Sequence, residues 1–518
     1  MSVTSLPRVT AQLLAAAGVV GAEPWRILLV GQIGTGGTAT SGQYYADVES
    51  LTNTQIETLF GSASELTGRI KKARAVILGR SAIGVIALDE SGTATNATLD
   101  IVVTGAATED GILTFKAIDA DEYTFNVSVT NTDAAATVAA NIKTAYDALV
   151  GIPATSGAVA VATLPLTATD GGTIPNKFTV KCITEVAGLT VTAGQFSGGT
   201  NDPVTTTIFD NVTSIRFHAI SWPWENDFSE LEDFLEARNV INNEFLHGVG
   251  FIGYDDTEAN ISTKVNGGIP LNSYDLIFMG NREITGEAVK VTPPDWRAAE
   301  FIAIEAMRQT DGVPIAQYVT TSAPRDVVGN AGLASLAYYN TPLALTDIAD
   351  PNLLFTGQEQ VNLKNDGYTI VGVNSSKTSA IMGEVVTTYK FDTLGNPDPS
   401  FKYLNYVRTG YLALEIFFAT LKANNSQSRL TEGSLVDGRL IQNRKSIEAQ
   451  YLAIYTRLSG QDFVLTQAGT DATNYFLDNL TLTLDYANGK VTSSGKLPIV
   501  TQIRDFVVTF QLSFTVGG

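Results

Sequence analysis

The sequence predicts an α/β plus β fold: an α/β core interrupted by a β-rich insertion and followed by an α+β C-terminal domain, with extended arms at both ends. Three observations carry this. Between residues 26 and 88 an apolar run, a glycine loop, a helix-spaced segment and a second apolar run follow one another, the order of a βαβ unit. From about 93 to 203 the composition shifts to Thr, Ala, Val and Gly in short alternating strands. After 203 the α/β texture resumes. A chain of 518 residues is too long for one ordinary core, and 44% apolar with 17% charged content is that of a globular chain.

Residues 1–25 are small, apolar and nearly uncharged and read as an N-terminal arm. The core is discontinuous, 26–92 and 204–390. Its first part holds "RILLVGQIGTGG" (26–37), then "DVESLTNTQIETLFG" with helical spacing, then "AVILGRSAIGVIAL". The insertion, 93–203, carries the strands "ATLDIVVTG", "GILTFKAI" and "EYTFNVSV" and one helix, "TDAAATVAANIKTAYDAL", with Thr132 or Asp133 expected as its cap. The turn cluster "FSGGTNDP" closes it. "SIRFHAI" then reads as a strand, "DFSELEDFLEARNVINNEFLHG" as a helix with a Ser229/Glu232 capping box and Gly248 as its stop, and "GVGFIGY" as a strand. The helix "DWRAAEFIAIEAMRQT" follows Pro293 and Pro294.

The C-terminal domain, 391–518, holds a helix-rich block over 407–458 and a two-residue hairpin turn expected at Asn488-Gly489. In the last strand, "RDFVVTFQLSFTV", residues Phe506, Val508, Phe510, Leu512, Phe514 and Val516 share one side. An unpaired edge of that length and apolarity aggregates, so it is either buried at home or given to a neighbour.

The glycine loop is the first candidate for chemistry. Glycines at 31, 34, 36 and 37 invite a phosphate, but no Lys-Ser/Thr follows them, and the G-x-x-G-x-G spacing is not that of a dinucleotide site. They read as tight turning at the end of a core strand. The two histidines, His218 in mid-strand and His247 at a helix end, read as structural, and no serine-hydrolase motif accompanies Ser379. Cys182 alternates in phase with Phe178 and Val180, as a small apolar group on a buried strand face; as the single cysteine it forms no internal disulfide. Asp255-Asp256 reads as solvated loop charge. No catalytic residue, cofactor site or metal site is expected. The apolar stretch "LLAAAGVV" makes a poor secretory signal and no segment approaches a membrane span, so a cytosolic protein without membrane insertion is expected.

Charge points to partners. A net charge of -20 repels nucleic acid, so no direct contact with it is expected. Over 421–457, however, Lys422, Arg429, Arg439, Arg444, Lys445 and Arg457 outnumber Glu432, Asp437 and Glu448. Such a patch is either a solvated helix pair or a docking face for an acidic partner, steering orientation more than supplying affinity.

The order of these pieces resembles the tail sheath protein of contractile-tailed phages, of the Mu-like type. At the front, "RILLVGQIGTG" and "TLFGSASELTGRIKKA" (58–73) look like the family's strand-loop and Phe-Gly-x-x-Ser helix; in the middle, the stretch from "GILTFKAI" to "FSGGTNDP" is similar to its β-rich insertion. The segment "GEVVTTYKFDTLGNPDPSFKYLNYVRTGYL" (383–412), with Thr387-Thr388-Tyr389 and the "YLNY" after it, is closest to the family pattern. The chain departs from it at Glu384, commonly basic, and at Ala63, usually glycine.

The resemblance implies a sheath-type core and a structural subunit, not an enzyme, that stacks as six-fold rings in a helical array around a tail tube. Contraction then drives the tube through the host envelope for genome delivery from the virion. Its implied partners are itself, the tail tube protein, and baseplate and tail-terminator proteins, with no cofactor, and assembly is in the host cytoplasm. It also implies that 503–518 is a strand-exchanging arm, that the insertion points outward, and that Arg439, Arg444 and Lys445 face the tube. The sheath of a non-phage device, an R-type bacteriocin or a secretion-like system, is the alternative; an α/β nucleotide-binding enzyme is a more distant one.

Overall fold

The computed structural model describes residues 25–79, 81–119, 123–238, 246–267, 271–284, 287–288, 292–310, 341–347, 353–425, 428–433, 441–459, 471–487 and 489–497. The expected arm residues Phe506 to Val516, almost all of the 1–25 arm, Arg439 and Asn488 lie outside them.

A nine-stranded mixed sheet organises the chain. Its strands are β1 (Arg26–Gln32), β2 (Tyr44–Tyr45), β3 (Ala82–Leu88), β11 (Ala219–Trp222), β12 (Val249–Gly253), β13 (Leu276–Gly280), β16 (Pro342–Leu343), β17 (Tyr368–Val373) and β18 (Ala380–Met382), in the spatial order β16-β18-β17-β13-β12-β11-β1-β3-β2. From β17 to β3 neighbours run parallel; β18, β16 and β2 join antiparallel at the edges. Strands β3, β11, β12 and β13 are buried throughout, which is why they read as unbroken apolar runs: a parallel sheet is covered on both faces.

Alternation along β1 divides the two layers. Ile27 and Leu29 face one core with α2 (Glu65–Ile77) and α6 (Pro294–Thr310), while Leu28 and Val30 face the other with α4 (Ser229–Arg238), α5 (Glu258–Asn266) and α7 (Gly357–Asp366). The Phe-Gly-x-x-Ser motif is a helix junction. Phe60 ends α1 (Asn53–Phe60), Gly61 turns the chain at φ +94°, and Ser64 caps α2 by accepting from Thr67 N–H. Two capping boxes, Thr52 with Gln55 and Thr356 with Glu359, start α1 and α7.

Between β3 and β11 the chain builds its own antiparallel sheets. One has the order β10-β4-β8-β7 (Leu189–Thr192, Asn96–Gly105, Thr163–Gly171, Ala154–Ser156), the other β6-β5-β9 (Thr124–Val129, Gly111–Ala117, Val180–Cys182). With α3 (Ala135–Asp147) they enclose a separate apolar cluster around Phe115, Phe125, Tyr146 and Phe178. Cys182 sits half-buried at the edge of this cluster, its Sγ 3.2 Å from the Thr184 carbonyl oxygen. Short elements complete the order: β14 (Glu283–Ile284) with β15 (Glu287–Ala288), and β19 (Arg429–Leu430) with β20 (Ile441–Gln442).

The C-terminal helices α8 (Leu404–Asn425), α9 (Arg444–Ser459) and α10 (Asp471–Asn479) share a small cluster of Ala413, Ile416, Phe417, Tyr455, Leu458 and Phe476 beside the hairpin β21–β22 (Thr481–Asp485, Lys490–Ser494).

Several local expectations are corrected. The N-cap of α3 is Ala134, because Asp133 turns its carboxylate back to accept from Thr130 N–H. Ser229 is the first residue of α4 rather than its cap, with Glu232 N–H donating to the Phe228 carbonyl. The described part of that helix ends at Arg238, and the expected stretch up to its stop at Gly248 falls largely on residues outside the described ones; His247 and Gly248 lie in the non-helical lead-in to β12. The hairpin turn spans four residues, since Asp485 pairs with Lys490.

Candidate functional site

In an open α/β sheet ligands are taken at the carboxyl ends of the parallel strands. Here that edge is closed by the chain itself. The glycine loop after β1 folds onto the α1–α2 junction: Ile33 N–H donates to Leu88 O, Gly34 N–H to Phe60 O, and Gly37 N–H to Gly34 O, all within 2.9 Å. Thr35 N–H donates to Asp170 Oδ1 of the inserted segment at 3.1 Å. Four amides that a phosphate would need are thus spent. A Cβ on Gly34 would lie 2.2 Å from Ser64 Cβ, so glycine serves close approach there.

Beside the loop the inserted segment sends one lysine into the sheet edge. Lys177 Nζ lies 2.6 Å from Glu225 Oε2 and 2.9 Å from Asp295 Oδ2, and it donates to the Pro223 carbonyl at 2.7 Å. Burial opposes the ammonium charge, but Asp295 and Glu225 outweigh it and hold Lys177 above the ordinary lysine range. Burial pushes Asp295 up, against the attraction of Lys177. With two carboxylates and a carbonyl around one ammonium, the group reads as charged.

Under it Arg69, wholly buried, pairs with Glu65 at 2.6 Å and donates to Ser221 Oγ and the Val30 carbonyl. Burial pushes the Glu65 carboxyl up against that pairing. Burial likewise pushes Asp170 up to about 7, opposed by the Thr35 amide and reinforced by Glu90 and Glu65.

Two further pairs pin the insertion to the core, Lys72 with Asp119 at 3.1 Å and Lys116 with Asp347 at 2.6 Å. The Thr169 hydroxyl donates to Ala63 O. Ala63, one departure from the family pattern, therefore contacts the insertion through its backbone. The other departure, Glu384, pairs with Lys364 at 2.9 Å.

Asp255 and Asp256 are not solvated loop charge. Asp255 pairs with buried Arg297 and accepts from Asn281 N–H, and Asp256 accepts from Tyr254 Oη–H, Thr257 N–H and the Asn260 amide. Both stand where β12 ends, so they fix loop geometry at the same edge.

The histidines lie at the opposite edge. His218 stacks on Trp25 at 4.1 Å, and burial, with Arg216, Arg408 and His247 around it, holds it well below the usual range. His247 stacks on Tyr411 at 4.0 Å, and its Nε2 is 2.9 Å from Arg216. Ser379 lies in a turn where its N–H donates to the Asn374 side chain.

Of the expected tube-facing residues, the structure places Arg444 and Lys445 together, exposed, in the first turn of α9. Arg444 forms an exposed pair with Glu448 at 2.9 Å, and Asn443 accepts from Ser446 N–H at the helix start. Two cations there run against the helix dipole, so they are not explained by helix stability. Among the described residues no group of three or more His, Cys, Asp or Glu could hold a metal, and no helix is long and apolar enough to cross a membrane.

Lys177 escaped the sequence reading because "IPNKF" looks like a polar turn; Glu65 and Arg69, four apart in a helix, were the readable signal.

These features define a mixed α/β protein with a large mixed sheet and smaller antiparallel sheets, whose usual ligand edge is closed by internal ion pairs. Among solved structures, the chain is similar to the sheath tail protein Lin1278 from Listeria innocua, at 12% identity over 96% of this chain and 97% of that one, with a TM-score of 0.45. It is also similar to a chain of the anti-feeding prophage (AFP) baseplate, at 14% identity over 59% and 71%, with a TM-score of 0.35. No family model and no curated protein matches it.

Proposed function

We propose that this chain is the structural subunit of a phage contractile tail sheath, without catalytic activity of its own. The observation that carries the reading is the closed carboxyl edge: Lys177, Asp295 and Glu225 occupy the place where an α/β enzyme would take substrate. The pairs there join insertion and core into a body suited to bearing load. The motif order, from "RILLVGQIGTG" through "YLNY", supports the same reading.

In this reading the core is 26–92 with 204–390, the insertion 93–203 faces outward, and 391–518 lies innermost. The subunits form stacked six-fold rings around a tube protein and meet baseplate and terminator proteins at the ends. The arms 1–25 and 503–518 add strands to neighbouring subunits. Each ladder bond contributes about 0.5–1.5 kcal/mol net, and the apolar side from Phe506 to Val516 adds burial. Such a joint holds neighbours together while their bodies turn, and contraction draws on interfaces that repack rather than on a nucleotide.

The test is electron microscopy of the purified chain at high concentration, beside a variant lacking 503–518. Hollow six-fold tubes from the intact chain and single particles from the variant support a sheath built by strand exchange. Single particles from both, even with the candidate tube protein added, overturn it.

A further inference from the structure

Helix α8 belongs to two cores at once. Its first turns are set in the main core: Leu404 and Val407 join the apolar cluster there, while Ala413, Ile416 and Phe417 belong to the separate C-terminal cluster. The side chains on either side of Gly410 are held by different means. Before it, Arg408 makes a buried two-pronged pair with Glu305, Nε to Oε1 at 2.8 Å and Nη2 to Oε2 at 3.0 Å. Its Nη1 donates to the His218 carbonyl at 2.8 Å, and the guanidinium lies over the Trp25 ring. After it, Tyr411 packs against the main core, stacks on His247 with Tyr274 edge-on to it, and donates one phenol hydrogen bond to Asp275.

Between these two anchors the helix is weakest. Gly410 has no side chain to pack, and glycine in a helix interior is the least favourable residue after proline. Thr409 turns its hydroxyl back onto the Asn405 carbonyl at 2.7 Å, a contact that bends helices. On the C-terminal side a bend here gives up the Tyr411 ring packing and one hydrogen bond to the buried Asp275 carboxylate. On the Arg408 side it breaks a two-pronged ion pair and strands a buried guanidinium, the larger loss.

We infer that Gly410 is a hinge and Tyr411 its latch, so that the C-terminal helices swing as a unit against a core held by Arg408 and Glu305. The hinge is a property of the single subunit. It is therefore tested apart from the sheath reading, which tube formation decides.

The experiment is amide hydrogen exchange on the full-length, unassembled chain. Amides over 413–421 exchange about ten-fold faster than those over 404–409, with the break at Gly410. Gly410→Ala slows 413–421 about five-fold, and Tyr411→Phe, which keeps the ring stack, speeds it about five-fold. Strand β12 is unchanged in both. Exchange of α8 as one unit with no break overturns the hinge. So does a shift of β12 together with 413–421, or a faster 413–421 in Gly410→Ala that is not accompanied by general unfolding in urea.

Discussion

Lys177 Nζ lies 2.9 Å from Asp295 Oδ2, a contact between residues 118 positions apart that ties the inserted segment to the first turn of α6.

Replacing Lys177 by Met leaves Asp295 and Glu225 buried without their cation. Unfolding in urea should show a loss of about 3–5 kcal/mol. Adding Asp295→Asn to that variant should recover part of the loss, because the stranded charge is removed.

Asp170 has a folded-state pKa near 7, above the unfolded carboxylate value, so the folded chain binds the extra proton. Its contribution is therefore fully present below about pH 4 and is lost as pH rises toward 7. Asp170→Asn should match the wild type at pH 4 and exceed it by about 2–4 kcal/mol at pH 8, read from urea midpoints at the two pH values.

Gly34→Ala drives a Cβ against Ser64 and should cost about 1–3 kcal/mol. Millimolar nucleotide should leave the thermal midpoint of the wild type unmoved, whereas a rise of several degrees would reopen the loop as a ligand site.

Deleting 93–203 alone should fail for a local reason, since it removes the partners of Lys72, Asp295, Glu225 and Asp347. With Lys72→Met, Asp295→Asn, Glu225→Gln and Asp347→Asn added, the shortened chain should fold and still form tubes under the microscope. A folded, compensated variant that forms none would place the insertion in the assembly contacts.

Charge reversal at Arg439, Arg444 and Lys445 should weaken co-sedimentation with the tube protein at least about ten-fold while sheath self-association stays within about two-fold. Equal loss of both would make the patch a folding element.

The sheet was legible where physics leaves a plain trace. Strands β3 and β12 are apolar at nearly every position because both of their faces are covered, and no loop pattern imitates that. The inserted strands betrayed themselves by alternation, as in β6, where Phe125, Val127 and Val129 point inward. What stayed hidden were choices made between distant residues. Nothing near Asp133 says that its carboxylate prefers Thr130 to the helix it precedes. Nothing near Asp255 announces the buried Arg297 that it meets. The dipeptide Asn488-Gly489 named a turn, but strand register, set by Asp485 opposite Lys490, decided its length.

The lysine that closes the sheet edge comes from inside the inserted segment, not from its ends, and this has a consequence for descent. A crossover that exchanged the segment for a foreign one would bring a new surface and lose Asp119, Asp170 and Lys177 together. Lineages should therefore vary the far hairpins freely while keeping Asp119 and Lys177 in step with Lys72 and Asp295. Co-inheritance of charge across that seam would be the mark of the joint in any collection of its descendants.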